Sequence, residues 1–392
     1  MKTSNNIPAY RFQGYTDAWE LRPLGEIGNT YTGLSGKTKD DFGHGDGRFV
    51  TYMNVFSNPI SLPEMVEAVE IDESQNTVRY GDVLFTTSSE TPEEVGMSSV
   101  WLENTENTYL NSFCFGFRPV KKVNPYYLAY LLRSSGMRRK ISFLAQGISR
   151  YNISKTKMME LEISIPNENE QSAIGTFFST LDQHITLHQR KLDTLKEQKK
   201  TYLKLLFPVK GQTKPALRFQ GFEDDWEEVK LGELCDIRTG KLDANAMVEN
   251  GEYDFYTSGI KKYRIDVAEF EGPAITIAGN GATVGYMHLA DGKFNAYQRT
   301  YVLTNFKVDR SYIFSEIAKK LPIKIQQEAR TGNIPYIVLS MLTELSISIP
   351  TLPEQEAIGT FFQTLDQEIA QVEDKLASLK EMKKTLLRKL FV

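Results

Sequence analysis

The sequence contains few of the residues from which disulfide frameworks and metal centres are built. It has two cysteines, Cys114 and Cys235, and four histidines scattered along 392 residues. Two separated cysteines predict neither a disulfide framework nor a metal site, and they favour a reducing cytoplasm. The sequence lacks any run of 18 or more apolar residues, and its first ten residues lack the apolar core of a signal peptide. We therefore expect no membrane span and no membrane partner.

Motifs of nucleotide binding and hydrolysis are also missing, so we expect no catalytic residue and no bound cofactor in this chain. The tetrapeptide Asn124–Tyr127 (NPYY) resembles an amino-methyltransferase motif without its second proline. A helix start explains it better, because Asn caps helices and Pro favours their first turn. The glycine-rich stretch Gly43–Gly47 predicts a surface loop, and Thr86–Ser89 predicts a turn rather than a nucleophile.

The charge balance does not mark the chain as a nucleic-acid binder. The formal net charge is −4, with 46 basic and 50 acidic residues. DNA binding would require basic groups to gather on one face, or a partner to neutralise part of the phosphate charge.

The longest feature that is present is an internal repeat. Residues 161–207 and 345–391 align without a gap at an offset of 184 and are identical at 29 of 47 positions. In each copy an Ile-Ser-Ile-Pro strand leads into a helical pattern, and Pro166 and Pro350 mark the helix entry. About 40 helical residues span about 60 Å, so the repeat predicts two long helices.

Apolar residues along each copy recur at alternating steps of three and four, which is the seam of a coiled coil. Lys199 and Lys383 interrupt the seam at equivalent positions. A lysine there either fixes register and partner choice or extends its ammonium to water along an apolar stem. The predicted packing residues are Ile174, Phe178, Leu181, Ile185, Leu192, Leu195 and Leu206 in the first helix, and Ile358, Phe362, Leu365, Ile369, Leu376, Leu379 and Leu390 in the second.

A shorter repeat opens each half of the chain. Residues 8–28 and 215–235 align at an offset of 207, so the segments between the paired repeats differ in length. The resulting order predicts a globular domain at 1–165, a helix at 166–207, a linker at 208–214, a second globular domain at 215–349 and a second helix at 350–392.

The variable segments contain short β-branched and aromatic runs cut by Gly, Asn and Asp, which predict strands, turns and one or two helices. Because the linker is too short for the chain to return, we expect the second domain at the far end of the first helix. The predicted fold class is α+β. It comprises two globular mixed α/β domains separated by a long antiparallel two-helix coiled coil, with pseudo-two-fold symmetry.

Basic residues interleaved with polar and aromatic ones are the candidates for DNA binding. Arg, Asn and Gln can make paired hydrogen bonds to base edges, whereas Lys mostly contacts phosphate. The candidates are Lys121, Lys122, Arg138, Arg139, Lys140, Gln146, Ser149, Arg150, Tyr151 and Asn152 in the first domain, and Lys261, Lys262, Tyr263, Arg264, Asn280, Gln298, Arg299, Lys319, Lys320 and Lys324 in the second, where Gln326 and Gln327 follow.

The doubled pattern Ile-x-Ile-Pro … Glu-Gln-x-Ala-Ile-Gly … Phe-Phe-x-x-Leu-Asp, at residues 163–182 and 347–366, carries a family resemblance. It resembles the central and distal conserved regions of the specificity subunit of type I restriction-modification enzymes. The openers with Trp19 and Trp226 and the segment Gly147–Ile153 fit the same family. The resemblance covers nearly the whole chain.

The resemblance implies a DNA-reading subunit that makes no bonds itself. Each domain would read one half of a split double-stranded DNA site, and the helices would set the number of unread base pairs between the halves. Two methyltransferase subunits would bind S-adenosylmethionine and methylate adenine, and restriction subunits would complete the endonuclease. Half-sites read from one face lie about 34–36 Å apart, which helices of about 60 Å can hold.

One segment departs from equivalence between the halves. Ile334–Tyr336 (IPY) stands where the first half has Ser149–Tyr151 (SRY), so a DNA contact of Arg150 does not carry over. An interaction scaffold that docks proteins without touching DNA also fits the architecture. An enzyme in its own right fits less well, because paired catalytic groups and a cofactor loop are missing.

Overall fold

The computed structural model describes residues 6–328 and 335–392. The chain forms two compact units. Unit 1 comprises Met1–Gln189 and Lys375–Val392, and unit 2 comprises Arg190–Asp374. Each unit therefore contains one of the globular segments and a portion of each long helix.

Unit 1 contains short strands and short helices before its first long helix. The strands are β1 (Glu20–Pro23), β2 (Gly28–Thr32), β3 (Phe42–Val50), β4 (Val66–Val69), β5 (Val83–Thr86), β6 (Ser88–Ser89), β7 (Ser98–Val100), β8 (Thr108–Leu110), β9 (Cys114–Pro119), β10 (Tyr151–Asn152) and β11 (Glu162–Ile165). The helices are α1 (Leu24–Ile27), α2 (Tyr52–Ser57), α3 (Pro125–Leu131), α4 (Ser135–Ser142) and α5 (Lys155–Met159), followed by α6 (Glu168–Leu205).

Two sheets form the centre of unit 1. One is antiparallel with the order β2-β9-β5-β7, and the other has the order β4-β3-β8, in which β3 pairs parallel with β8. Strand β1 pairs with β11, which leads into α6. Helix α3 begins as predicted: the Asn124 side chain accepts a hydrogen bond from the Tyr127 amide at 3.0 Å, and Pro125 occupies the first turn.

Two predicted connections of unit 1 are wrong. The stretch Gly43–Gly47 is part of β3 and forms a bulge against β4, not a loop. Gly43 and Gly45 have positive φ angles, and a Cβ on Gly45 would lie 2.7 Å from the Val69 carbonyl oxygen. The backbone conformation of the bulge therefore requires glycine at these positions. The predicted turn at Thr86–Ser89 instead ends β5 and forms β6.

Unit 2 repeats this plan with different details. Its strands are β12 (Glu227–Lys230), β13 (Asp236–Thr239), β14 (Tyr253–Tyr256), β15 (Tyr263–Ile265), β16 (Phe270–Glu271), β17 (Ala274–Ala278), β18 (Met287–Ala290), β19 (Lys293–Ala296), β20 (Thr300–Thr304) and β21 (Ser346–Ile349). Its helices are α7 (Leu231–Leu234), α8 (Arg310–Glu328) and α9 (Leu339–Thr343), followed by α10 (Leu352–Lys389).

The sheets of unit 2 have the orders β13-β20-β17-β18 and β15-β14-β19-β16, and β14 pairs parallel with β19 as β3 does with β8. Strand β12 pairs with β21 before α10, as β1 pairs with β11 before α6. The predicted class of two mixed α+β domains joined to long helices is confirmed.

The long helices α6 and α10 each contain 38 residues. In unit 1, Phe178 near the start of α6 stacks on Phe391, just beyond the end of α10, with ring centroids 5.7 Å apart. In unit 2, Phe207 stacks on Phe362 at 5.9 Å. The start of one helix thus meets the end of the other within each unit, so the helices run antiparallel there.

The predicted packing residues lie along these contacts. All of them are buried except Ile185 and Ile369, which are half-buried. Of the helices in residues 6–328 and 335–392, none combines the length and apolarity needed to cross a membrane.

Candidate nucleic-acid interface

The guanidinium group of Arg138, in α4, is hydrogen-bonded within unit 1. Its guanidinium donates to the carbonyl oxygens of Glu93, Val95 and Gly96 at 2.6–2.8 Å. Burial lowers its pKa to about 10. Three carbonyl acceptors on one loop show that Arg138 anchors residues 93–96.

The neighbouring basic candidates of unit 1 lie at the surface. Lys122 forms an exposed ion pair with Glu168 at 2.6 Å, and Lys140 donates to the Glu162 carbonyl oxygen at 3.3 Å. Lys121 and Arg139 are exposed. Exposed lysines of this kind suit phosphate contacts better than base recognition.

A short hairpin carries the remaining candidates of unit 1. Gln146 and Asn152 exchange two backbone hydrogen bonds of 2.9 and 2.8 Å, and Tyr151 and Asn152 form β10, which pairs with β6. The residues between them project outwards, so that Ile148 is 95% exposed and Arg150 is exposed as well.

Ser149 and Arg150 line a shallow cavity of about 430 Å³ together with residues of α2 and β6. Tyr52 of α2 donates to the Ser88 carbonyl oxygen at 2.8 Å, and burial raises its pKa. Glu94 lies at the same cavity and accepts a hydrogen bond from Ser89 at 3.3 Å. We define the loop surface of unit 1 as Tyr52, Met53, Ser88, Ser89, Phe113, Ser149 and Arg150.

Phe113 joins this surface through backbone contacts. The Thr87 amide donates to the Phe113 carbonyl oxygen at 2.9 Å, and the Ile153 amide donates to the Thr87 carbonyl oxygen at 3.0 Å. The segment before β9 and the hairpin strand β10 are therefore both tied to the end of β5.

Arg133 supports the loop surface from beneath. Its guanidinium donates to the carbonyl oxygens of Val55, Phe56 and Asn58 at 2.8–2.9 Å, at the end of α2, and to that of Ser98 at 2.6 Å. Burial lowers the pKa of Arg133 to about 9. The contacts fix the end of the helix that carries Tyr52 and Met53.

The lysines of α8 in unit 2 are tied to their own unit. Lys319 donates to the carbonyl oxygens of Phe207 and Pro208 at 3.1 and 3.0 Å, and burial lowers its pKa. Lys320 pairs with the buried carboxylate of Glu316 at 2.7 Å. Lys324 pairs with Glu328 one turn along the helix at 2.6 Å.

The candidates on the β14–β15 hairpin are also mostly paired. Asp254 accepts from Lys262 at 3.0 Å and from Arg264 at 2.6 Å. The Lys261 ammonium lies 5.4 Å from the centre of the Tyr263 ring. This hairpin forms a cationic strip in which Asp254 neutralises part of the charge.

The structure brings Asn280, Gln298 and Arg299 together at the ends of β17 and β19. The Gly279 amide donates to the Arg299 carbonyl oxygen at 2.9 Å, and the Asn280 side chain accepts from the Ser258 hydroxyl at 2.7 Å. Gln298 donates weakly to Asp243 at 3.3 Å.

Tyr336 completes this group. It forms a β-bridge with Asn280, and the Ile337 amide donates to the Gly279 carbonyl oxygen at 2.7 Å. Tyr336 is 59% exposed. Ile334, the first residue of the IPY segment, lies outside the described residues. We define the loop surface of unit 2 as Ser258, Asn280, Gln298, Arg299 and Tyr336.

The two loop surfaces occupy equivalent positions. The backbone hydrogen bonds that hold Phe113 and the β10 hairpin in unit 1 recur around Arg299 and Tyr336 in unit 2. Tyr52 and Ser258 each lie two residues beyond a strand of a parallel pair. Each donates a hydrogen bond to the second residue after β5 or β17, which is Ser88 or Asn280.

The sequence-based candidates for DNA binding did not include seven residues of the loop surfaces, which are Tyr52, Met53, Ser88, Ser89, Phe113, Ser258 and Tyr336. The faint likeness between residues 48–56 and 252–260 was the signal that could have found Tyr52 and Ser258.

The two units therefore carry equivalent loop surfaces on duplicated domains. A family model described as the type I restriction modification DNA specificity domain matches twice, at residues 16–197 and 223–381. The chain belongs to this family and carries the domain in duplicate, so the resemblance seen in the sequence is confirmed.

Named relatives agree with this assignment. The chain is 37% identical over 164 residues to the type I restriction enzyme EcoDI specificity subunit of Escherichia coli, covering 42% of this chain and 36% of that relative. It is 24% identical to the putative type I restriction enzyme MjaX specificity subunit of Methanocaldococcus jannaschii, covering 94% of this chain and 92% of the relative.

A solved structure supports the fold. The type I restriction-modification S subunit from M. genitalium has a TM-score of 0.71 and 18% identity, covering 98% of this chain and 99% of that chain. A chain from a structure of the type I R-M system has a TM-score of 0.53 and 17% identity, covering 95% and 97%.

Proposed function

We propose that this chain is the DNA sequence-recognition subunit of a type I restriction-modification complex. The loop surfaces of units 1 and 2 each read one half of a bipartite site in double-stranded DNA. The chain itself makes and breaks no bond. The observation that carries the proposal is the pair of equivalent loop surfaces on duplicated DNA specificity domains.

The side chains at these surfaces have the chemistry that reads base edges. Arg150 and Arg299 are exposed, and within residues 6–328 and 335–392 their guanidinium groups have no hydrogen-bond or ion-pair partner. Arg and Asn make paired hydrogen bonds to purines in the major groove. By contrast, Arg138 and Lys319 donate hydrogen bonds to carbonyl oxygens of their own unit.

Partner subunits complete the activity in this proposal. Two methyltransferase subunits dock on the chain, hold S-adenosylmethionine and methylate adenine, and restriction subunits add DNA cleavage. The net charge of −4 is consistent with a shared DNA interface, in which partner subunits supply part of the phosphate neutralisation. A structure of the type I R-M system to which this chain is similar concerns complex assembly.

The long helices set the spacing between the half-sites. Thirty-eight helical residues measure about 57 Å. Half-sites read from one face of the duplex recur about every 34–36 Å. Helices of this length leave room for both spacing and the docking of partners.

The proposal is tested by selecting bound sequences from random duplex DNA, with the full chain assembled with its methyltransferase subunits. The expected result is two short words separated by a fixed gap. Enrichment of one continuous word, or of no word, would contradict it. Stable capture of the methyltransferase subunits without sequence enrichment would indicate an interaction scaffold that does not read DNA.

A further inference from the structure

We infer that Phe113 and Arg299 are equivalent specificity-determining positions with different chemistry. Arg299 selects a guanine in the half-site of unit 2, and Phe113 contacts a thymine methyl group in the half-site of unit 1. This inference rests on the proposed function and adds the base class that each position reads.

The equivalence follows from the topology of the two units. Strand β8 ends at Leu110 and β9 begins at Cys114, whereas β19 ends at Ala296 and β20 begins at Thr300. Each loop therefore has three residues, and its last residue is Phe113 in one unit and Arg299 in the other.

Backbone contacts hold both residues in the same way. The Phe113 carbonyl oxygen accepts from the Thr87 amide at 2.9 Å, and the Arg299 carbonyl oxygen accepts from the Gly279 amide at 2.9 Å. The Phe113 amide also donates to the Asn111 side chain at 2.9 Å. Both loops thus present their third side chain from a fixed backbone.

Arg299 is available for a base, because its exposed guanidinium has no hydrogen-bond or ion-pair partner among residues 6–328 and 335–392. Arg264 and Arg310 of unit 2 form ion pairs of 2.6 Å with Asp254 and Asp291. In the described part of the chain Arg299 has no such carboxylate. A free guanidinium offers two parallel donors that match O6 and N7 of guanine, the commonest specific major-groove contact.

Phe113 offers the opposite chemistry from the equivalent place. It is 57% exposed, although its backbone is fixed on both sides. Within the described residues its ring contacts no other aromatic ring. An exposed phenyl group cannot donate a hydrogen bond and instead suits the C5-methyl group of thymine.

The experiment selects bound sequences with the complete complex, using wild type, Arg299→Ala, Arg299→Lys and Phe113→Ala. Arg299→Ala lowers the preference for one guanine by about 5- to 150-fold and leaves the other half-site unchanged. Arg299→Lys keeps the charge but loses the paired donors, so the same preference falls. Phe113→Ala lowers a thymine preference about fivefold, in the other half-site only.

Lys261→Ala is the matched control, because it removes an exposed positive charge of the same unit that is outside the loop surface. It weakens binding to all sequences alike and changes no preferred base. Thermal melting of each variant checks that the units remain folded.

The outcomes separate the inference from the proposed function. A wild-type complex that selects no split word overturns the proposed function. A wild-type split word that both Arg299 variants retain unchanged overturns the guanine assignment. A change in both half-sites on Phe113→Ala, or in neither, overturns the equivalence of the two positions.

Discussion

Lys199 and Asp366 form an ion pair between α6 and α10 in unit 2, with Nζ and Oδ1 2.5 Å apart. Lys383 and Asp182 form the same pair in unit 1 with the helices exchanged, also at 2.5 Å. The sequence left open whether the seam lysines fix register or reach water. Their side chains are 27% and 22% exposed, so each stem packs while its ammonium meets a carboxylate of the other helix.

The two ion pairs differ in their surroundings, so we predict that removing each carboxylate lowers the free energy of unfolding by a different amount. Tyr130 donates to Asp182 at 3.0 Å, and the Lys383 ammonium lies 5.6 Å from its ring centre. We expect Asp366→Asn to lower the free energy of unfolding by about 0.5–1 kcal/mol and Asp182→Asn by about 1–2 kcal/mol. Urea unfolding measures both, and an equal or larger effect at Asp366 would contradict the role of Tyr130.

At Gly359 of α10, we predict that substitution by alanine destabilises the protein, although alanine has the higher helix propensity. A Cβ there would lie 2.5 Å from Asp309 Oδ1 and 2.8 Å from the Tyr312 backbone nitrogen. Gly→Ala normally stabilises a helix interior by about 1 kcal/mol. Asp309 precedes α8 and caps it, since its side chain accepts a hydrogen bond from the Tyr312 amide at 2.7 Å. We expect Gly359→Ala to lower the melting temperature instead, because this cap of α8 must move.

Gly136 of α4 is the matched control for this substitution. A Cβ there would meet the carbonyl oxygen of Val392 at 3.5 Å, an ordinary contact. Gly136→Ala should leave the melting temperature unchanged or raise it. Stabilisation by both substitutions would show that the approach of α10 to the α8 cap is not tight.

Arg218 and Glu354 form a buried pair that predicts a large loss on truncation. The guanidinium makes two hydrogen bonds of 2.7 Å to a carboxylate that is fully buried, and that contact raises the pKa of Arg218. We expect Glu354→Ala to lower the free energy of unfolding by about 3–5 kcal/mol, because the largely buried cation then keeps only its hydrogen bond to the Asp224 carbonyl oxygen. The double change Arg218→Met with Glu354→Leu should recover most of it in denaturant titration.

His288 predicts a pH dependence in unit 2. Burial against Tyr256 and Tyr286 lowers the pKa of His288, and the charge of nearby Lys262 lowers it too. The hydrogen bond to the Gly259 carbonyl oxygen and the charge of Asp254 oppose this shift without reversing it. The unfolded chain therefore binds the proton more readily, so stability is full above about pH 6.5 and falls as pH drops below that value.

Hydrogen exchange of β14 and β18 amides between pH 5 and 7.5 measures this dependence. His288→Gln should remove most of the acid sensitivity of these strands. A histidine resonance assigned to residue 288 that titrates above pH 6.5 would contradict the direction.

The spacing role of the helices predicts the effect of an insertion. One heptad added to both α6 and α10 at matched positions lengthens each by about 10 Å, the rise of about three base pairs. We expect selected DNA sites to keep both words and gain up to about three base pairs between them. Retained binding with an unchanged gap would refute the spacing role.

The long helices were predictable from the sequence because their information is local and periodic. The steps from Ile174 to Leu181 and the entry at Pro166 suffice for a helix. The loop surfaces were not predictable in the same way. Phe113 and Arg299 become equivalent only through backbone hydrogen bonds to distant strands, which leave no spacing signal in the chain.

Charge was also a poor guide at individual positions. Arg138 and Lys319 look like free cations in the sequence. In the folded chain, each donates hydrogen bonds to carbonyl oxygens that tertiary folding brings near. The glycines at Gly43 and Gly45 suggested a loop, but the same freedom of φ serves a bulged strand.

Phe391 covers Phe178 and Tyr127 in unit 1, and Phe207 covers Phe362 and Tyr312 in unit 2. Each covering phenylalanine thus belongs to the opposite half of the chain from the aromatic residues that it covers. Either half expressed alone would expose the aromatic surface that the missing phenylalanine covers, and would carry the phenylalanine that covers the other half. Two half-length chains therefore contain the residues needed to associate with one another.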